Sequence, residues 1–324
     1  MSNRPTASNA TELFQPIPRC WICGGDRLVR YHQGRFDFSI YAQQDPELAA
    51  YTGAPLWLRR CQGCGFGQPE ALPTLPRFFD RMYDQRWAEE WMAWEFDSGY
   101  KDSIFQIVLA ELARRVPPSR RALLDVGAHV GRLIFLAREL GWQAEGVELN
   151  PQTGGFAARR TGLPIHRKNI QDLALEGRHF DAITIIDVLE HIPEPIPILR
   201  GIHALLADGG WVAVKVPHGP SQYLKERVRA RLQRGYRATL ADNLVHVNHF
   251  SPDALRRALA SAGFDEISLY VGAPESPPKT AGAAGHWSAA ATVRQMIYGL
   301  SRCLPGVVHT PLAMHLQAYA RKAG

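Results

Sequence analysis

From residue 121 onward the chain alternates short apolar runs with amphipathic ones, and this alternation is its strongest constraint on the fold. Residues 122–126, 144–149, 165–170, 180–188 and 211–216 read as strands, with Ile183, Ile185 and Ile186 in the most apolar of them. Helical spacing fills 131–140, 151–161 and 194–206 between them. Strands that alternate with helices build parallel sheet, and near-continuous apolar strands are covered on both faces. The expectation is an α/β fold with helices on both sides of a central sheet. A further helix opens at Ser251-Pro252-Asp253, with an N-cap and a proline in its first turn. Residues 312–321 read as a last strand.

The preceding residues have a different texture. Cys20-Trp-Ile-Cys23 and Cys61-Gln-Gly-Cys64 supply four thiols, each pair followed by a glycine, Gly24 or Gly65. Two such knuckles suit tetrahedral zinc, and four protein ligands leave no open position, so the metal would be structural. Four buried free thiols or a redox pair are the other readings; the redox reading needs a thioredoxin-like unit that this region lacks. The organisation that follows is a disordered tail at 1–15, a loop-rich zinc-binding module at 16–75 and an aromatic helical connector at 76–118. A ligand-binding domain spans 119–324, with insertions near 218–250 and 274–310. A length of 324 residues suits about two domains. A hydrophobic content of 46% excludes a disordered chain. No apolar run approaches the length of a membrane span, and the polar first residues lack a secretory core, so the expected location is cytoplasmic. Cys303, alone on an apolar helix, reads as core.

Chemistry concentrates at strand ends. Leu123-Leu-Asp125-Val-Gly127-Ala128-His129-Val-Gly131 is a strand, a tight turn and a helix start, whose amides can hold a polar ligand. Alone, this loop also suits a nicotinamide cofactor or a nucleotide. Glu148 ends the second strand, where a carboxylate can accept both hydroxyls of a ribose. Asn169 and Ile170 follow the third strand, and Asp187-Val188-Leu-Glu190-His191 ends the fourth.

Together with residues 206–217, these motifs resemble class I S-adenosylmethionine-dependent methyltransferases over about residues 100–321. Residues 20–24, 61–65 and 78–83 resemble the zinc-binding module of sugar C-methyltransferases and related natural-product enzymes. The resemblance implies a Rossmann-like seven-stranded sheet whose last strand is antiparallel. It implies that Asp125, Gly127, Ala128 and Gly131 hold the methionine end of S-adenosylmethionine. Glu148 and Leu149 would then meet the ribose, Asn169 and Ile170 the adenine, and Asp187 and Val188 the floor beneath the sulfonium. One departure stands out: His129 replaces the family's middle glycine, which places a side chain at the cofactor's amino-acid end.

Methyl transfer needs alignment and, for a hydroxyl or acidic C–H acceptor, a base. His191 at the mouth is one candidate, with helix capping as the alternative. His246 and His249 are others, with loop packing as the alternative. Asp187, Glu190 and His191 also form a candidate set for a divalent cation, as the similar Glu-His pair does in ubiquinone-type O-methyltransferases. Tyr83, Trp87 and Trp91 stand at i, i+4 and i+8. They would pack the module on the sheet domain, or Tyr83 would reach the cofactor. The stretch 225–237 carries six basic residues and one acid. It reads as a solvated helix face or as a lid over an anionic or carrier-linked acceptor. Scattered arginines without interleaved aromatics argue against a nucleic-acid partner. The function expected is methylation of a small molecule at carbon or oxygen. The alternatives are an RNA or protein methyltransferase that reads its target with the zinc module, and a non-catalytic scaffold.

Overall fold

The computed structural model describes residues 13–83, 88–232, 246–276, 289–301 and 303–323. Its strands in chain order are β1 (Phe14–Pro16), β2 (Leu28–Arg35), β3 (Pro55–Cys61), β4 (Gly67–Pro69), β5 (Ala71–Pro73), β6 (Ala122–Val126), β7 (Gln143–Val147), β8 (Ile165–His166), β9 (Phe180–Ile186), β10 (Leu206–Pro217), β11 (Phe264–Val271) and β12 (His315–Lys322). Among the described residues, seven strands form the main sheet in the order β11-β12-β10-β9-β6-β7-β8. β6, β7, β8, β9 and β10 pair in parallel, while β12 runs antiparallel to both β10 and β11. This is the Rossmann-like seven-stranded arrangement expected.

The chain leaves β6 toward β7 on one side and returns to β9 on the other. The carboxyl ends of β6 and β9 therefore flank the point where strand order reverses, which is where open α/β sheets bind ligands. Both faces are buried, as the apolar strands require. Leu124, Ile183, Ile185, Val212 and Val214 pack under helices Pro195–Leu205 and Pro252–Ser261. Leu123, Ala182 and Ala213 pack under helices Asp102–Arg115 and Arg132–Glu139.

Several local expectations change. Residues 165–170 are not one strand: β8 is two residues long, and Asn169 caps a helix at Ile170–Ala174 by accepting from Asp172 N. Asn at that position offers the helix an N-terminal acceptor, which outcompetes strand extension. Residues 14 and 15, expected within the disordered tail, belong to a strand instead, because Phe14–Pro16 pairs antiparallel with β5; residues 1–12 lie outside the described residues. The module at 16–75 is more than loops, since β2, β3 and β4 form an antiparallel sheet around Phe36, Phe38, Leu56 and Leu58. The aromatic connector is two helices, Phe78–Tyr83 and Glu89–Asp97, and Ala88 is extended at the second N-terminus (ψ 147°). Tyr83 and Trp91 therefore do not share one helix. The Tyr83 side chain and Trp87 lie outside the described residues. So do residues 233–237 of the basic stretch, and residues 286–288 and 302 of the span 286–304, whose apolar spacing predicts a helix. Cys303 is exposed rather than core.

Candidate active site and candidate metal centre

The module closes on its four thiols. Cys20 Sγ and Cys64 Sγ are 3.6 Å apart, Cys23 Sγ and Cys61 Sγ 3.5 Å, and all four sulfurs lie within 4.8 Å of one another. Tetrahedral zinc with bonds of about 2.3 Å requires sulfurs about 3.8 Å apart, so the cluster fits that metal. The Gly63 amide also points at Cys61 Sγ at 3.3 Å. Gly24 and Gly65 take left-handed φ of 69° and 73°, the turn expected after each pair. The knuckle rests on the sheet domain: Ser251 Oγ donates to Cys64 O at 2.8 Å while capping helix Pro252–Ser261.

A cavity of about 1130 Å³ opens at the carboxyl ends of β6, β7 and β9. Its wall contains Asp125, Gly127, Ala128, His129, Glu148, Leu149, Asn169, Ile170, Asp187, Val188 and His191. Gly127 (φ 78°) lies directly under Val188, so close that an added Cβ would come within 2.4 Å of a Val188 methyl. Gly131 is not part of the wall. It caps helix Arg132–Glu139 and admits Ala157 and Thr161, each of which a Cβ would meet at 3.0 Å. His129 keeps the backbone turn at φ 51°, donates its amide to Glu148 Oε2 at 2.8 Å and sets its ring edge-on to Trp91. Burial drives its imidazole down to about 4, so it stands neutral.

Among the described residues, two carboxyls on the floor have no cation paired with them. Burial pushes Asp125 up to about 7; the Thr184 hydroxyl, donating at 2.6 Å, opposes this and nearby Glu148 adds to it. Burial also raises Glu148, against the amides of His129 and Asn150. Asp187 behaves oppositely. Burial opposes its ionisation, yet Lys215, Lys101 and His315 hold it well below the usual carboxylate range. Its carboxylate meets the buried Lys215 ammonium at 2.6 Å.

The three candidate bases part company. His191 lines the cavity, and His246 packs beside it with ring centroids 5.0 Å apart. Glu190 Oε1 approaches both, at 3.8 Å from His191 and 4.0 Å from His246. Burial pushes Glu190 up to about 8, and Asp187 adds to this. His246 is driven down to about 3 by burial and its histidine neighbours, and Gln222 Nε2 contacts its Nδ1 at 2.9 Å. His249 is elsewhere: its backbone bridges Gly67 of β4, and its ring stacks on Tyr223. Its place is the seam between module and sheet, which argues against contact with an acceptor.

Sequence reasoning missed Thr184, Lys215 and Lys101, and gave Trp91 a packing role only, whereas it also lines the cavity. Lys215 had a signal: it is the one charge in the apolar run 211–217. It also missed an apolar part of the lining, to which Leu72, Leu75, Phe79, Ile192, Pro197 and Ile198 contribute.

Residues 86–269 match the family model for a methyltransferase domain, which is more than half of the chain. The chain belongs to the methyltransferase-domain family. It is 30% identical over 131 residues to a ubiquinone biosynthesis O-methyltransferase of Xanthomonas axonopodis pv. citri, covering 38% of this chain and 54% of that protein. It is 32% identical over 133 residues to the same-named protein of Chromobacterium violaceum, covering 39% of this chain and 56% of that protein. The chain thus spans about half the length of these relatives. A solved S-adenosylmethionine-dependent methyltransferase from Archaeoglobus fulgidus aligns at 17% identity and a TM-score of 0.44, covering 69% of this chain and 98% of that one. One from Mesorhizobium loti aligns at 17% and 0.45, covering 69% and 100%. The family match includes the catalytic-side strands β6 to β10 and leaves the cysteine knuckle outside it.

Proposed function

We propose that this chain transfers a methyl group from S-adenosylmethionine to a small-molecule acceptor, at oxygen or at an acidic carbon. The observation that carries this reading is a pair of carboxyls, buried Asp125 and part-buried Glu148, that line a cavity in a methyltransferase domain and have no cationic partner among the described residues. A ligand with an ammonium group relieves the first, and a ribose diol can donate both its hydroxyls to the second. When bound, S-adenosylmethionine supplies an electrophilic methyl on a sulfonium. Asp125 and the loop amides hold its amino-acid end, Glu148 its ribose, and Asn169 and Ile170 its base. Lys215 keeps Asp187 ionised beneath the reacting centre.

The cavity volume exceeds the usual range for a single drug-sized ligand, about 300–1,000 Å³, so cofactor and acceptor fit together. The apolar part of the lining suits an acceptor with an apolar body, and Leu72 and Leu75 of the module and Phe79 of the connector contribute to it. His191 takes the acceptor's proton, and His246 with Glu190 fixes its ring. The relatives named for ubiquinone biosynthesis favour a hydroxyl as the methylated group. The zinc is structural and supports the wall. The test is a calorimetric titration of the full chain with S-adenosylhomocysteine. Micromolar binding, weakened at least tenfold in Glu148→Gln, is the expected result; no binding by a folded, zinc-loaded protein overturns the proposal.

A further inference from the structure

A second cavity, of about 410 Å³, opens at the opposite end of the main sheet from the first, where β10 starts and β12 ends. Arg115, Arg120, Asp208, Gly209, Trp211 and Arg321 line it. Each of the three guanidinium groups is held by an acid. Arg115 Nη2 donates to Glu111 Oε1 at 2.6 Å, Arg120 Nε to Asp181 Oδ1 at 2.7 Å, and Arg321 Nη1 to Glu266 Oε1 at 2.6 Å. Arg115 Cζ also lies 4.7 Å from the ring centroid of Trp211 and 4.9 Å from that of Tyr319. Arg120 Nη2 donates to Asp208 O at 3.1 Å. These contacts fix three planar forks but use only some of their donors, since each guanidinium carries five N–H groups. Among the described residues, Arg120 Nη1 and both Nε and Nη2 of Arg321 have no acceptor. They converge on Gly209. A Cβ there would stand 3.4 Å from Arg321 Nη2, 3.8 Å from Arg120 Nη1 and 3.9 Å from Arg321 Nε. The first two nitrogens thus lie within about 7 Å of each other. Gly209 takes a φ of 73° in the irregular stretch of β10 between Leu206 and Trp211, and it leaves that point clear of any side chain of its own. Asp208, the acid in the lining, stands with its carboxylate 3.7 Å from Lys322 Nζ.

We propose that this cavity binds a phosphate group, as the free ion or as a phosphomonoester. One phosphate accepts from both arginines at about 2.8 Å across such a gap. Its several oxygens meet two separate forks at once, whereas a carboxylate, with two oxygens in one plane, matches one fork. The volume falls within the usual range for small-molecule sites, about 300–1,000 Å³, which leaves room for the body of a phosphomonoester beside its phosphate. Glu111, Asp181, Glu266 and Asp208 surround the arginines, which disfavours a polyanion that runs on past the cavity. The site lies at the other end of the sheet from the first cavity, so the proposal stands without the cofactor reading. An occupant ties the start of β10 to the end of β12 and to Arg120 ahead of β6. It therefore stabilises the sheet domain by mass action.

The experiment is thermal melting and calorimetry of the full chain in inorganic phosphate and in glycerol 3-phosphate, against chloride and citrate at equal ionic strength. The melting temperature is expected to rise and saturate with a phosphate compound and to stay flat in chloride. A stronger response to inorganic phosphate identifies the free ion as the occupant, and a stronger one to glycerol 3-phosphate identifies a phosphomonoester. Arg321→Gln removes one of the converging forks from a part-exposed position and is expected to weaken binding at least tenfold. Gly209→Asp, at a φ that aspartate tolerates, sets a carboxylate between the two arginines and is expected to abolish the response. A cooperative melt in chloride shows that each variant folds; where Gly209→Asp does not, Arg321→Gln decides alone. No rise in either phosphate compound beyond that in chloride overturns the proposal. So does a rise in citrate as large as in phosphate, or a phosphate affinity in Arg321→Gln equal to that of the wild type.

Discussion

Gly127→Ala tests the site through a contact that can be divided into parts. At φ 78° an alanine pays for the left-handed backbone, about 1–2 kcal/mol. Its Cβ also meets Val188 Cγ2 at 2.4 Å and Cγ1 at 3.2 Å, an overlap costing about 1–3 kcal/mol. The total is about 2–5 kcal/mol, spread between destabilisation and displacement of the cavity floor. Val188→Ala removes both methyls, so in the double variant the steric part vanishes and only the backbone part remains. A double-mutant cycle by denaturant unfolding should give a favourable coupling of about 1–3 kcal/mol between the sites. Calorimetry with S-adenosylhomocysteine should show the same pattern, with binding lost in Gly127→Ala and partly restored by Val188→Ala. Additive effects, or a Gly127→Ala protein with wild-type stability and affinity, would refute the tight packing of this turn.

Other expectations follow from neighbouring residues. Asp125 stands near 7 before ligand binds and must be ionised to receive an ammonium, so affinity for S-adenosylhomocysteine should rise up to about tenfold per pH unit below pH 7 and level off above. Calorimetry across that range checks it; a flat profile in the wild type, or a steep one in Asp125→Asn, contradicts it. Cys61→Ser should abolish stoichiometric zinc in elemental analysis and lower the melting temperature, while unchanged metal content and melting would remove the zinc assignment. Once an acceptor is in hand, His191→Ala should lower kcat by about 10²- to 10⁴-fold, and full turnover would show that alignment alone suffices. Gly67→Ala drives a Cβ to 1.9 Å from the Tyr223 hydroxyl oxygen and should cost about 1–3 kcal/mol, recovered in part by Tyr223→Phe in unfolding experiments.

The sheet was legible because its strands are buried on both faces and so read as continuous apolar runs. β6 and helix Pro151–Thr161 match their expected bounds. The strand ends were legible because glycine and carboxylate at a strand terminus have few structural uses. The failures share a cause. Asn169 ended a strand early because its side chain caps a helix, a local competition that apolar spacing does not register. His249 carried the right chemistry for a base, but its place depends on pairing with Gly67, nearly two hundred residues away in sequence. The apolar lining of the cavity includes both Phe79 and Ile198, and nothing in either local pattern announces the other. Contacts between distant segments decide which polar residues face a ligand, and one sequence gives them no periodicity.

Residues 246–250 touch three parts of the molecule. His249 exchanges both backbone hydrogen bonds with Gly67, next to the knuckle; Asn248 N donates to Glu190 O, and its side chain donates to Leu189 and Ile192 carbonyls; Phe250 O accepts from Gly219 N at the foot of the basic helix. A segment bound on three sides cannot shift for one of them alone. If the segment couples the two sites, filling the cavity should tighten the knuckle's equilibrium hold on a metal, and stripping the metal should weaken affinity for the ligand by the same factor, since coupling between two sites is reciprocal. Five residues of connecting chain would then carry free energy between the proposed metal site and the candidate cavity.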